Sequence, residues 1–197
     1  MATQNAIAAV GQSILGLLRD ACPRPEFDGA RFELYQSVNF SKPMDEGISL
    51  YLFRVAVNGG RRNLPPRIDA QGRRHRAALP LDLFYMLTPW AKTAERQHRL
   101  LGWAMRTLEE TPTLPSGLLN HFAIPEHDAF YPDETVTVIQ EQLSVQDMFN
   151  LWDFAKHNIQ VSVAYAVRLV PLDSLVRDAD DPLAQTRVLD VGRMAPA

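Results

Sequence analysis

The sequence contains little that would cross-link the chain, anchor it in a membrane or give it a strong charge. Its single cysteine, Cys22, cannot form an internal disulfide, so the 197 residues are expected to be soluble and to fold in a reducing cytosol. Arg54, Asp82 and Arg168 interrupt the longest apolar runs well before the ~20 residues that cross a bilayer. The N-terminus lacks the basic segment of a signal peptide. The net charge of −3 disfavours bulk nucleic-acid binding, because it provides no overall field for a polyanion.

Motifs for cofactors and metals are also missing. No glycine-rich phosphate-binding motif occurs, and Asn58-Gly59-Gly60 alone indicates a turn. His121, Glu126, His127 and Asp128 form the densest group of possible metal ligands, but their spacing matches none of the usual zinc patterns. We therefore predict neither a cofactor nor a metal site.

A hydrolase would need a nucleophile beside a base. Ser116 and Cys22 are the candidate nucleophiles. The candidate bases are His75, His98, His121, His127 and His157. Ser116 lacks the Gly-x-Ser-x-Gly context and is typical of a helix start, whereas Cys22 is typical of a small apolar residue at a helix end. We predict that the protein is not an enzyme, and a small hydrolase remains the third-ranked hypothesis.

Hydrophobic periodicity predicts three helices in a single domain of ordinary composition, with 46% hydrophobic and 22% charged residues. Apolar residues recur every three or four positions in residues 3–22 and 93–110, which predicts two long amphipathic helices. Ser144 and Asp147 have capping-box spacing and begin a third helix that runs through Phe154. Residues 114–132 are predicted to form a loop with a short helical turn.

Alternating and apolar runs predict five strands, at residues 32–36, 48–57, 79–88, 135–142 and 160–172. Strict alternation places Val55 and Val57 on the face of Phe53, and Leu169 on the face of Val167. The order of elements predicts an α/β fold of the α+β type, in which one mostly antiparallel sheet is packed by two main helices. We predict a domain over residues 1–172 and an acidic C-terminal tail or arm over residues 173–197.

A basic loop between the second and third strands is the most unusual segment. It contains six arginines, namely Arg61, Arg62, Arg67, Arg73, Arg74 and Arg76. Only Asp69 lies among them as a counter-charge, so the loop is suited to an acidic surface or a phosphate backbone. The alternative is a solvated loop whose arginines pair with the domain's own carboxylates. The loop has no aromatic residue, which weakens a model of stacking on single-stranded nucleic acid.

Several segments in order resemble one family. They are the helix from Ala6 to Leu18, the strand from Ile48 to Val57, the run Leu79-Pro80-Leu81-Asp82-Leu83-Phe84-Tyr85-Met86-Leu87-Thr88-Pro89, Leu100-Leu101-Gly102, Leu151-Trp152-Asp153 and Val161-Ser162-Val163-Ala164-Tyr165. This pattern resembles the N-terminal domain of the cap, or tail-terminator, proteins of phage-tail-like contractile injection systems. The resemblance implies a tail-terminator-like fold, no catalysis, and a ring of six on the end of the inner tube.

The same resemblance implies partners and a location. The expected partners are further copies of the chain, the inner tube protein and the sheath protein, with no membrane span and no nucleic acid. Assembly is expected in the cytoplasm, as part of a phage-tail-like particle that is released or anchored. A ring uses two different patches on each copy, which pairs the basic loop with the acids Asp173, Asp178, Asp180 and Asp181. A nucleic-acid-binding module that uses the arginine loop is the second hypothesis.

Overall fold

A computed structural model describes residues 5–62, 64–68, 72–123, 129–155 and 160–177. The helices are α1 (Ala6–Ala21), α2 (Ala94–Glu110), α3 (Ser116–His121) and α4 (Val145–Ala155). The strands are β1 (Arg31–Tyr35), β2 (Gly47–Val57), β3 (Arg67–Ile68), β4 (Arg74–His75), β5 (Leu79–Trp90), β6 (Thr113–Pro115), β7 (Thr135–Glu141) and β8 (Val163–Leu172). Two short 3₁₀ helices cover Ser37–Ser41 and Gly59–Arg61.

Six of the strands form one sheet in the order β1-β2-β5-β8-β7-β6, and β3 and β4 form a separate two-stranded pair. All neighbours in the large sheet are antiparallel except β1 and β2, which are parallel. The predicted fold class, a single mostly antiparallel α+β sheet packed by helices, is confirmed. The sequence did not indicate β6, which pairs through Leu114 with Val136.

The main core lies on one face of this sheet, under α1, α2 and α3. The amphipathic stripe of α1 contributes Ile14 and Leu18, and that of α2 contributes Leu100 and Leu108, all of them buried. They pack with residues of the central strands such as Leu83. The two helices predicted from periodicity therefore form as expected, because the sheet supplies the apolar face that their stripes require.

The opposite face carries a smaller aromatic core. Tyr35, Phe40, Met86, Trp90 and Trp152 pack together there beneath α4 and the first 3₁₀ helix. Phe40 makes edge-on contacts with the rings of Tyr35 and Trp152, at 5.4 and 5.5 Å between centroids. Because β2 and β5 are apolar on both faces, they can lie between two cores.

A β-bulge at Phe53 corrects the predicted faces of β2. Leu52 lies opposite Tyr85 and Arg54 lies opposite Phe84, so Phe53 is an extra residue in β2. Beyond the bulge Val55 lies opposite Leu83, on the main-core face. The prediction that Val55 and Val57 share the face of Phe53 is therefore wrong, because one extra residue inverts strict alternation.

A second bulge in β8 corrects the face predicted for Leu169. Leu81 pairs with Val170 and Leu83 pairs with Val167, so two residues of β8 oppose Asp82 alone. Leu169 takes a left-handed backbone conformation with φ of 62°, and Val170 instead of Leu169 is buried in the main core.

In the part of the chain that the structure describes, no helix is long and apolar enough to cross a membrane.

Candidate assembly surface

The basic loop begins where β2 ends, and Asn58 organises that point. The Asn58 side chain accepts a hydrogen bond from the backbone N–H of Arg61 at 3.1 Å, which begins the 3₁₀ turn. The amide nitrogen of Asn58 also donates to both carboxylate oxygens of Asp82, at 3.0 and 3.1 Å. One side chain therefore joins the start of the loop to the central strand β5.

Asp82 is a buried acid in an otherwise apolar strand, and it sits opposite the β8 bulge. Besides Asn58, its partners are the guanidinium of Arg168 at 2.8 Å and the backbone N–H of Leu169 at 3.2 Å. Burial alone would raise the pKa of Asp82, but the hydrogen bonds from Asn58, Arg168 and Leu169 outweigh it and lower the pKa below its ordinary value. The charged carboxylate therefore stabilises the bulge and the left-handed residue within it.

The described part of the basic loop is more ordered than the irregular loop predicted from the sequence. Arg67 pairs with His75 and Ile68 pairs with Arg74 in the β3–β4 hairpin. The backbone N–H of Arg76 donates to the carbonyl oxygen of Val176 at 3.1 Å, and His75 forms a β-bridge with Arg177. The chain after β8 therefore lies beside the hairpin, joined to it by this bridge and this hydrogen bond.

Arg67 anchors this hairpin to the body of the domain. Its guanidinium lies 2.6 Å from a carboxylate oxygen of Glu134 and 2.8 Å from one of Asp173. The guanidinium also stacks over the ring of Tyr131, with the carbon of the guanidinium 4.3 Å from the ring centroid. Both carboxylates are nearly inaccessible to solvent, with side-chain exposures of 8% and 4%. Arg67 is therefore bound within its own chain, as the solvated-loop alternative expected for the loop's arginines.

The other predicted arginines lie at the surface. Arg61, Arg62, Arg73, Arg74 and Arg76 are all exposed. Arg61 lines a cleft of about 360 Å³ whose other walls include Asp133, Thr137 and Arg168. The structure therefore separates one anchoring arginine from five that face solvent at the same end of the domain.

Of the four acids proposed as partners, the structure describes Asp173. Asp173 belongs to the Arg67 anchor and is buried there. Asp178, Asp180 and Asp181 lie outside the described residues. Sequence reasoning missed Glu134 and Asp82, although a lone acid within the apolar run of β5 is itself a signal of a buried ion pair.

The candidate nucleophiles and metal ligands do not form a catalytic or metal site among the described residues. The Ser116 hydroxyl is buried and donates to the carbonyl oxygen of Pro132 at 2.9 Å. Cys22 follows the C-terminus of α1, and burial, the largest effect, raises the pKa of its thiol. Among the described residues no group of three metal-ligating side chains occurs. His121 packs edge-on against Phe122, whereas Glu126, His127 and Asp128 lie outside the described residues.

A second surface lies at α4, where a groove of about 330 Å³ opens beside the helix. Leu143, Ser144, Val145, Met148, Phe149 and Trp152 line this groove. Val145 and Phe149 are exposed, at 74% and 51%. The helix therefore presents apolar side chains on a side that the aromatic core does not cover.

The comparison with protein families decides where this fold belongs. The model of the Pvc16 N-terminal domain matches residues 9–186. The chain belongs to the Pvc16 N-terminal domain family. This membership agrees with the resemblance found in the sequence.

Two solved structures share the fold. One is the sheath/tube terminator of PVC, an extracellular contractile injection system, in its extended state, with a TM-score of 0.63 and 17% identity. The other is the tube-terminating cap of the anti-feeding prophage, with a TM-score of 0.57 and 14% identity. Each match covers 99% of this chain, but only 66% and 63% of the respective neighbour. No curated protein sequence matches the chain.

Proposed function

We propose that this member of the Pvc16 N-terminal domain family is a structural assembly protein that caps the inner tube of a contractile injection system as a ring of six. The observation that carries the proposal is the family match over residues 9–186. The two structural neighbours support it, because one is described as a sheath/tube terminator and the other as a tube-terminating cap. The further partners in this proposal are the tube protein and the sheath protein.

The proposed role is not enzymatic, and assembly takes place in the cytoplasm before the particle is released or anchored. The structural neighbour from PVC is part of an extracellular contractile injection system, which supports the particle location. The buried, hydrogen-bonded Ser116 does not favour a nucleophile, and no observation favours the nucleic-acid alternative.

The exposed arginines of the basic loop are proposed to lie in the assembly interface. Arginine is suited to such a contact, since its planar guanidinium binds carboxylates through two parallel hydrogen bonds. The acids of residues 173–197 are proposed to act in an arm along a neighbouring subunit or the sheath, with Asp178, Asp180 and Asp181 as contact residues. Asp173 is already bound by Arg67, so we propose that it holds the start of the arm against the domain.

The experiment that tests the proposed function is a capping assay with the tube protein of the same system. Tubes are polymerised with and without the chain, and their lengths and ends are measured by negative-stain electron microscopy. We expect short tubes that carry a ring at one end. Tubes of unchanged length with bare ends would contradict the proposal. A variant with Arg61→Ser, Arg62→Ser and Arg76→Ser is expected to keep the melting temperature of the domain and to lose capping.

A further inference from the structure

Of the two acids in α4, one stabilises the helix and the other does not. Asp147 in the first turn suits the positive end of the helix dipole and accepts a hydrogen bond from the Ser144 hydroxyl at 2.6 Å. Asp153, by contrast, is exposed in the last turn, where the dipole disfavours an acid. The whole stretch of residues 107–155 contains neither lysine nor arginine. The groove is lined by apolar side chains and Ser144, and the helix that borders it carries two exposed acids, Asp147 and Asp153, and no basic residue.

Around the β3–β4 hairpin, exposed apolar residues occur together with basic residues instead of acids. Ile68, Leu175 and Val176 are exposed there, at 69%, 71% and 52%. Seven of the exposed residues of this region are called the hairpin surface, namely Arg61, Arg62, Ile68, Arg76, Leu175, Val176 and Arg177, and the exposed Arg73 and Arg74 lie in the same hairpin. Every charged residue in this set is an arginine. The hairpin surface is therefore apolar and basic, whereas the α4 groove is apolar and bordered by a helix with two exposed acids.

Strand register places the two surfaces at opposite ends of the sheet. The basic loop leaves β2 at Val57, which is level with Leu81 of β5. The α4 segment enters β8 at Val163, which is level with Leu87 of β5. Six residues of β-strand separate these levels, a rise of about 20 Å. Because of this separation, a contact between the hairpin surface and the α4 groove requires two different copies of the chain.

We propose that the hairpin surface of one copy docks into the α4 groove of the next copy around the ring. The inference rests on the proposed ring and names its two faces. Charge complementarity selects a second copy as the occupant, since the arginines meet Asp147 and Asp153 while the exposed apolar residues meet Val145 and Phe149. A contact between two different patches is heterologous, and such contacts close into rings when the rotation from copy to copy divides a full turn.

Charge reversal tests the contact with two variants. The first changes Arg62→Glu, Arg76→Glu and Arg177→Glu on the hairpin surface. The second changes Asn150→Lys and Asp153→Lys on α4, and lysines near the C-terminus of a helix favour its folding. Ring formation is measured by light scattering and by ring occupancy on tubes, with melting temperature as the check on folding. Each variant alone is expected to raise the concentration for half-assembly at least about tenfold.

An equal mixture of the two variants is the decisive experiment. The three glutamates on the hairpin of the first variant then face the two lysines on α4 of the second, while the unchanged arginines and the unchanged acids still attract each other, so the two variants are expected to alternate and restore an even-numbered ring. The matched control, Glu109→Lys with Glu110→Lys, changes exposed acids at the end of α2 and is expected to assemble as the wild type does. Restoration in the mixture, together with the normal control, is the result expected.

The remaining outcomes separate the inference from the proposed function. If the wild type forms rings and either folded variant does so equally well, the inference is overturned while the capping function stands. Loss of rings in the control, or a mixture that stays unassembled, also overturns the inference, because the effect is then not specific to the two surfaces. If the wild type forms no ring and leaves tubes uncapped, the proposed function fails and the inference fails with it.

Discussion

The guanidinium of Arg168 lies 2.8 Å from the carboxylate of Asp82, and this ion pair occupies the bulge where β8 departs from regular register with β5. The second amino group of Arg168 donates to Glu141 at 2.9 Å, so the same side chain also ties β7 to the bulge. Arg54 and Arg168 both lie over the ring of Phe84. The pair therefore joins three strands, β5, β8 and β7.

Replacing Asp82 by Asn tests the contribution of this carboxylate. The change removes the charge that Arg168 and the Leu169 N–H require, so we expect a loss of about 1–3 kcal/mol in the free energy of unfolding at pH 7. Urea titration measures it. Asp45→Asn, at an exposed site, is the control and is expected to change the free energy by less than about 0.5 kcal/mol.

The acid dependence of stability follows from the direction of the Asp82 pKa shift. Because the folded state lowers this pKa, the stabilisation is fully present above the ordinary aspartate pKa of about 3.9 and is lost as the pH falls through the lower folded value. The difference between wild type and Asp82→Asn should therefore shrink below about pH 4. A difference that stays constant from pH 7 to pH 2.5 would show that the charge of Asp82 contributes nothing.

Arg67→Ala is expected to release the β3–β4 hairpin. The change leaves Glu134 and Asp173 buried without their guanidinium, at a cost of about 3 kcal/mol. Hydrogen exchange measures the release at the Arg76 amide, which donates to Val176 in the folded chain. Arg106→Ala removes an exposed arginine that pairs with Glu110 on the same helix, and its exchange pattern should match the wild type.

Two glycines in helices should respond to alanine in opposite directions. A Cβ at Gly16 would overlap the ring of Phe122, where α1 and α3 approach closely, so Gly16→Ala should destabilise the domain by about 1–3 kcal/mol. A Cβ at Gly102 in α2 would meet nothing within 4 Å, so Gly102→Ala should stabilise by about 0.5–1 kcal/mol. Thermal unfolding measures both changes in stability. If Gly16→Ala changes stability as Gly102→Ala does, the close packing at Gly16 is refuted.

Truncation after Arg177 tests the proposed arm. This end point retains the Arg67–Asp173 pair and the bond from Arg76 to Val176, so the free energy of unfolding should change by less than about 0.5 kcal/mol. Assembly or sheath contact should be lost. If the truncated chain assembles and binds sheath as the full chain does, residues 178–197 have no role in assembly.

Local patterns in the sequence predicted the elements that local physics controls. The three- and four-residue spacing in residues 3–22 and 93–110 determined α1 and α2, because an amphipathic stripe has a strong helical period. Ser144 and Asp147 marked the start of α4 through a cap that needs only four residues. Apolar runs likewise determined β2, β5, β7 and β8, and the order of these segments was specific enough to indicate the family.

Tertiary structure alone decided the features that depend on distant partners. An extra residue at Phe53 inverts the outer half of β2, and the bulge opposite Asp82 buries Val170 in place of Leu169. No local pattern marks either bulge, because each arises from register against a neighbouring strand. The six arginines are alike in the sequence, yet only contacts with Glu134, Asp173 and Tyr131 make Arg67 an anchor. Burial and long-range charge pairing exist only once the chain has folded, so the sequence determined the elements and the fold assigned their roles.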